Sequence, residues 1–242
     1  MAKIQINMGI DIFGNAMLDY LQKKNDENII TYSSVAEQDT IPVPYLFRNY
    51  KSMPKIEQKA LQLCKGKVLD IGCGAGSHSV HLQNKNLEVT ALDASKGAIE
   101  VCKKRGIKKT ICSDVLNFDG QKFDTLLLLM NGIGIVGKLK NLETYLSHLK
   151  TLLNPNGQIL LDSSDIIYMF DEDDDGGYWI PTDKDYYGEV DFQMEYKGEK
   201  SSEFPWLYLD YNTLQNAANY NGFKCEMITK GEHYDYLAKL SL

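Results

Sequence analysis

The stretch Val68-Leu69-Asp70-Ile71-Gly72-Cys73-Gly74-Ala75-Gly76 sets three glycines directly behind an apolar run and directly ahead of a segment with helical spacing. Glycine admits positive φ and has no side chain to hold a ligand off the backbone, and a helix start behind such a turn presents unpaired N–H groups. The strand–turn–helix pattern then repeats along the chain. Strands are expected at Lys67 to Ile71, Leu87 to Leu92, Lys108 to Cys112, Phe123 to Met130 and Gln158 to Asp162. Helices are expected at Ser77 to Asn84, Ser95 to Arg105 with Ser95 as N-cap, and Leu142 to Leu153. Strand centres such as Leu126-Leu127-Leu128-Leu129 are apolar throughout instead of alternating, as required when helices cover both faces of a parallel sheet.

Further out, the pattern changes. Ile10, Phe13, Met17, Leu18 and Leu21 recur at helical spacing and imply a helical cap over residues 1–50, before the polar stretch Gln22 to Asn28. Met53 to Cys64 reads as a helix with Pro54 in its first turn. Beyond residue 163, Glu189 to Tyr196 and Trp206 to Leu209 read as strands joined through Lys197-Gly198, an inserted hairpin within about 170–209. A helix at Tyr211 to Tyr220 and strands at Phe223 to Thr229 and Tyr234 to Leu240 complete the pattern. The expected fold is α/β, a doubly wound, mostly parallel seven-stranded sheet, with the main domain at 51–242 and the insertion forming a lid.

Composition narrows the function. The chain has 242 residues, 43% of them hydrophobic, and a net charge of -7, so it lacks the positive field that holds a nucleic-acid backbone. No apolar run reaches the roughly 20 residues of a membrane helix, and the first seven residues carry no secretory leader, which points to the cytoplasm. Five cysteines without a CxxC predict reduced thiols, neither a disulfide framework nor a zinc knuckle. His78 and His81 stand three apart on one helix, but no third ligand accompanies them, so no metal site is expected.

The glycine spacing is GxGxG, whereas a nicotinamide dinucleotide turn needs GxGxxG and would place its third glycine where Ser77 stands. Asp70, two positions before the first glycine, would oppose a pyrophosphate and suits a cationic ligand. Asp70-Ile-Gly-Cys-Gly-Ala-Gly76 resembles the first motif of class I S-adenosylmethionine (SAM)-dependent methyltransferases, and three further segments extend the likeness. Asp93, with Ala94 after it, lies where that family keeps an acid for the ribose hydroxyls. Asp114-Val115 looks like its adenine site, and Met130-Asn131 lies where backbone meets the methionine end of the cofactor. Leu152 to Leu161 resembles the LxPGG segment ahead of the fifth strand, with Asn156 in place of the first glycine. The resemblance implies a Rossmann-like methyltransferase fold and SAM as cofactor, with S-adenosylhomocysteine (SAH) as product. It implies cofactor contacts at Asp70, Gly72, Cys73, Gly74, Gly76, Asp93, Ala94, Asp114, Val115, Met130 and Asn131.

Met130-Asn-Gly-Ile-Gly134 lacks the (Asn/Asp/Ser)-Pro-Pro-(Tyr/Phe) motif of enzymes that methylate bases or glutamine. The layout resembles instead small-molecule methyltransferases acting on oxygen or nitrogen, working as a monomer or homodimer. An RNA or protein methyltransferase and a non-catalytic SAM-binding module are the alternatives. Lys103-Lys104-Arg105 and Lys108-Lys109, the motive for the first alternative, also read as a solvated helix end favoured by the helix dipole. Tyr45, Arg48, Ser163 and Asp165 are substrate-side candidates by position, and His233 is a candidate general base in the turn before the last strand. Nine of the fifteen tyrosines and both tryptophans lie from Tyr178 onward, which suits either a lid over an organic substrate or ordinary strand packing.

Overall fold

The computed structural model describes residues 9–24, 27–180 and 184–242. The leaderless reading of residues 1–7 and parts of the cap and insertion fall outside the described residues.

In chain order the elements are α1 (Ile12–Leu21), β1 (Ile29–Ser33), β2 (Asp39–Ile41), α2 (Val43–Leu46), α3 (Lys55–Leu63), β3 (Lys67–Ile71), α4 (Ser77–Asn84), β4 (Glu88–Asp93), α5 (Lys96–Lys104), β5 (Lys109–Cys112), β6 (Phe123–Leu128), α6 (Leu142–Thr151), β7 (Leu153–Ser164), β8 (Glu189–Tyr196), β9 (Glu199–Lys200), β10 (Phe204–Leu207), α7 (Tyr211–Tyr220), β11 (Lys224–Lys230) and β12 (Asp235–Ser241). Seven strands form one sheet in the order β11-β12-β7-β6-β3-β4-β5. Its pairings are parallel from β7 to β5, and β12 and β11 are antiparallel additions at one edge. The expected α/β sheet, doubly wound and mostly parallel, is therefore present.

β6 shows why both sheet faces are dry. Leu126 and Leu128 join the core under α6 and α7, whereas Leu127 and Leu129 join the core under α3 and α4, so successive side chains seal opposite faces. α5 starts as expected, with the Ser95 hydroxyl accepting from the Ala98 N–H at 2.9 Å. Chain order reverses between β3 and β6, so the crevice beyond their C-terminal ends is where this class of sheet accommodates a ligand.

The N-terminal segment is not purely helical. α1 forms, capped by Asp11 through the Gly14 N–H at 2.9 Å, but β1 and β2 enter a second, antiparallel sheet of order β10-β8-β1-β2. The insertion is likewise more than a hairpin. Lys197-Gly198 turns β8 into the two-residue β9, and β10 then continues along the same edge of β8. β1 pairs with a strand some 160 positions away, as Ile30 opposite Glu195 shows, and local hydropathy carries no record of so distant a partner. Among the described residues no helix is long and apolar enough to cross a membrane.

Candidate functional site

The turn after β3 is built for close approach. Gly72 and Gly74 have φ of +70° and +51°, and a Cβ added at either would meet no atom within 4 Å. Gly76, at φ +77°, has another role, since a Cβ there would lie 2.4 Å from Ile107 Cδ1 and 2.9 Å from Cys102 Sγ. The first two glycines leave open space above the backbone, and the third lets α4 pack on the core. Cys73 turns inward, with its Sγ 3.6 Å from that of Cys102. That contact and burial push its thiol well above the ordinary value, so only its backbone is on offer at the turn.

Two carboxylates hold this turn. Asp93, at the end of β4, accepts from the Gly74 N–H at 2.9 Å and the Ser95 N–H at 2.8 Å. Burial raises its pKa to about 6, although both bonds favour the ionised form. Asp70 is buried and accepts from the Ser79 hydroxyl at 2.6 Å, so its carboxyl faces the start of α4 instead of the open crevice, and burial raises its pKa too. Ala94 is exposed beside Asp93. Asp114 caps the short helical turn Val115–Asn117 through the Leu116 N–H at 2.8 Å, with Val115 buried behind it.

Beyond β6, Met130 and Asn131 both stand in the left-handed region, at φ +66° and +53°. The adjacent peptides are gripped by Asp162 on β7, which accepts from the Met130 and Gly132 N–H groups at 3.1 Å each. Asn131 Oδ1 accepts from the Ser163 hydroxyl at 2.9 Å, and its Nδ2 donates to the Leu207 carbonyl at 3.1 Å, tying the loop to the second sheet. The carbonyls of Gly72 and Met130 accept no hydrogen bond among the described residues, which leaves two acceptors at the ends of neighbouring strands.

The substrate-side candidates divide. Tyr45 is 41% exposed, with the Arg48 guanidinium 4.1 Å from its ring centroid. Arg48 itself is buried and pairs with Glu57 at 2.6 and 2.7 Å, and Glu57 also meets His78 Nε2 at 2.8 Å. Burial works against ionisation of Glu57, but His78 and Arg48 outweigh it and hold its carboxyl below the ordinary value. Arg48 Nε is buried without a partner among the described residues. Arg48 thus belongs to a charged cluster behind α4, not to a free substrate contact. Ser163 is likewise withdrawn, being buried and engaged with Asn131 and the Leu209 N–H. Asp165 is half-buried and accepts from Tyr187 Oη at 2.8 Å, and its N–H donates to the Tyr234 carbonyl, beside the exposed His233.

Sequence reasoning missed Asp162 and Glu57. Asp162 carried a usable signal, because Ile159-Leu-Leu-Asp162 ends an apolar run in an acid as Leu69-Asp70 and Leu92-Asp93 do. Glu57 lies in a helix whose burial only tertiary packing reveals. Among the described residues no group of three or more His, Cys, Asp or Glu could hold a metal ion.

Comparisons with known proteins agree with this geometry. Residues 68–157 match the family described as methyltransferase domain. A SAM-dependent methyltransferase from Bacteroides fragilis, solved in complex with SAH, is 44% identical, with 96% of this chain and 94% of that one aligned at a TM-score of 0.88. The mitochondrial ubiquinone biosynthesis O-methyltransferase of Schizosaccharomyces pombe is 29% identical over 102 residues, and the putative methyltransferase YqeM of Bacillus subtilis is 30% identical over 107. Each of these two matches covers 40% of this chain, and 37% and 42% of the respective relative's length. The order of the sheet, the open glycine turn and the full-length match together place this chain in the SAM-dependent methyltransferase family.

Proposed function

We propose that this chain transfers the methyl group of SAM to an oxygen or nitrogen of a small organic acceptor. The observation that carries the reading is the crevice between Gly72-Cys73-Gly74 and Met130. Bare backbone at Gly72 and Gly74, two carbonyls that accept no hydrogen bond among the described residues, and the Asp93 carboxylate bound to the Gly74 N–H occur together at these strand ends. When bound, SAM supplies a methyl group on a sulfonium sulfur and leaves as the neutral thioether SAH.

Each residue then has a task. A carboxylate has about four lone-pair directions, so Asp93 retains capacity for the ribose hydroxyls after serving Gly74 and Ser95. Asp114 and Val115 flank the adenine position. The Gly72 and Met130 carbonyls suit the cofactor's ammonium group. Asp70 supports the turn from behind. Alignment of acceptor and methyl carbon in line supplies roughly 7 to 11 kcal/mol of the barrier, and the departing thioether needs no acid. A protonated acceptor must lose its proton, and the hydrogen-bonded Asp165 and Tyr187 and the exposed His233 are the candidates for that step.

In this reading residues 1–50 form a cap and 51–242 the methyltransferase domain, with the insertion at about 170–209 closing the acceptor side. The protein works on a free small molecule in the cytoplasm, as a monomer or homodimer. Isothermal titration with SAH tests the cofactor site. The wild type should bind at micromolar Kd, and Asp93→Ala should bind about 10- to 100-fold more weakly, the loss of one charge-assisted bond or slightly more. Equal affinity in wild type and variant would remove Asp93 from the site.

A further inference from the structure

Asp162 belongs to none of the segments that sequence motifs assign to the cofactor, yet it is only 6% exposed and lies near the C-terminal end of β7. Its Oδ2 accepts from the Met130 N–H and its Oδ1 from the Gly132 N–H, both at 3.1 Å. The residue between, Asn131, and Met130 itself adopt left-handed backbone, which residues with side chains rarely do without outside support. Ser163, next along β7, holds the same loop through Asn131 Oδ1. A buried carboxylate without a paired cation is unfavourable unless its oxygens meet donors, and here two backbone donors supply that need.

The arrangement fixes one atom in particular. With the peptides before and after them pinned, Met130 and Asn131 share a peptide whose carbonyl has no protein donor among the described residues. We propose that Asp162 is the positioning residue of the methyl-transfer site, holding the Met130 carbonyl in place for the ammonium at the methionine end of the cofactor. This rests on the SAM reading given above, and it makes Asp162 act through the loop without touching the cofactor.

The test compares two ligands on the full-length protein: SAH, which carries the methionine end, and adenosine, which does not. In Asp162→Asn one oxygen acceptor becomes an amide donor facing a backbone N–H, so SAH should bind about 10- to 100-fold more weakly. Adenosine affinity should change less than about threefold, because Asp93 and Asp114 are untouched. A merely structural role would weaken both ligands alike, and that result, or unchanged SAH affinity, would overturn the proposal. Amide hydrogen exchange on the ligand-free wild type gives a second measurement that needs no variant. The Met130 and Gly132 amides should be protected, and exchange at the free-peptide rate would overturn the role of Asp162. A wild type that binds neither SAH nor adenosine would instead overturn the cofactor reading itself, and this proposal with it.

Discussion

Asp93 and Asp162 are carboxylates held where ionisation is costly. Burial raises their pKa values to about 6 and about 7, against an ordinary value of 3.8. The groups facing Asp162 are Glu57 from α3 and His78 from α4, with Tyr45 from α2 close enough to feel its charge; those near Asp93 are Asp11 and Asp70. Between pH 4 and pH 7 the folded protein keeps protons that the unfolded chain has released. Linkage therefore makes the stability contributed by these groups complete at low pH and lost as pH rises through their folded values. The ligand-free melting temperature should fall by roughly 5 to 10 °C from this source between pH 5 and 8, and Asp93→Asn and Asp162→Asn should each flatten the slope. Parallel slopes in wild type and both variants would contradict the assignment. The three acids near the C-terminal ends of β3, β4 and β7 follow one rule, a carboxylate behind an apolar run at that edge of the sheet. Two of them were read as site residues because a glycine turn or a second motif accompanied them, whereas Asp162 offered only the apolar run that ends in an acid.

Among the elements, α1 and α5 approach each other backbone to backbone. A Cβ on Gly97 would stand 2.5 Å from Gly14 Cα, and Asp11 bridges the two helix starts, accepting from the Ser95 hydroxyl at 2.8 Å and the Gly97 N–H at 3.0 Å. This crossing seats the N-terminal helix beside Asp93, whose own bond to Ser95 shares the α5 start. Gly97→Leu should push α1 off α5, costing about 2 to 4 kcal/mol by denaturant unfolding and opening the segment before α2 to limited proteolysis. Unchanged unfolding and cleavage would show that α1 does not depend on this contact. The helix was legible from its apolar spacing, but its seat was not, since neither Gly14 nor Gly97 lies in a motif and close packing of two glycines leaves no hydropathy pattern.

Across the whole molecule, legibility follows sequence distance. The βαβ core could be read because β3 meets β4, β4 meets β5 and β6 meets β7 after one helix each and both faces are dry, so continuous apolar runs mark it. The second sheet joins residues 29–41 to residues 189–207, and its strands are only partly buried, so nothing local announces the pairing. That sheet is tied back to the crevice by the Asn131 amide on the Leu207 carbonyl, and Trp206 packs so closely that a Cβ on Gly134 would lie 2.0 Å from its Nε1. Strands from the N-terminal segment and from the insertion thus form one sheet, tied to the loop at Asn131. A crystal structure of the protein grown with SAH decides where the cofactor lies. The expected result is the ribose hydroxyls on Asp93, bare backbone of Gly72 and Gly74 against the ligand, and the ammonium group between the Gly72 and Met130 carbonyls. SAH bound elsewhere, or a crevice that takes up NAD and rejects SAH, would contradict it.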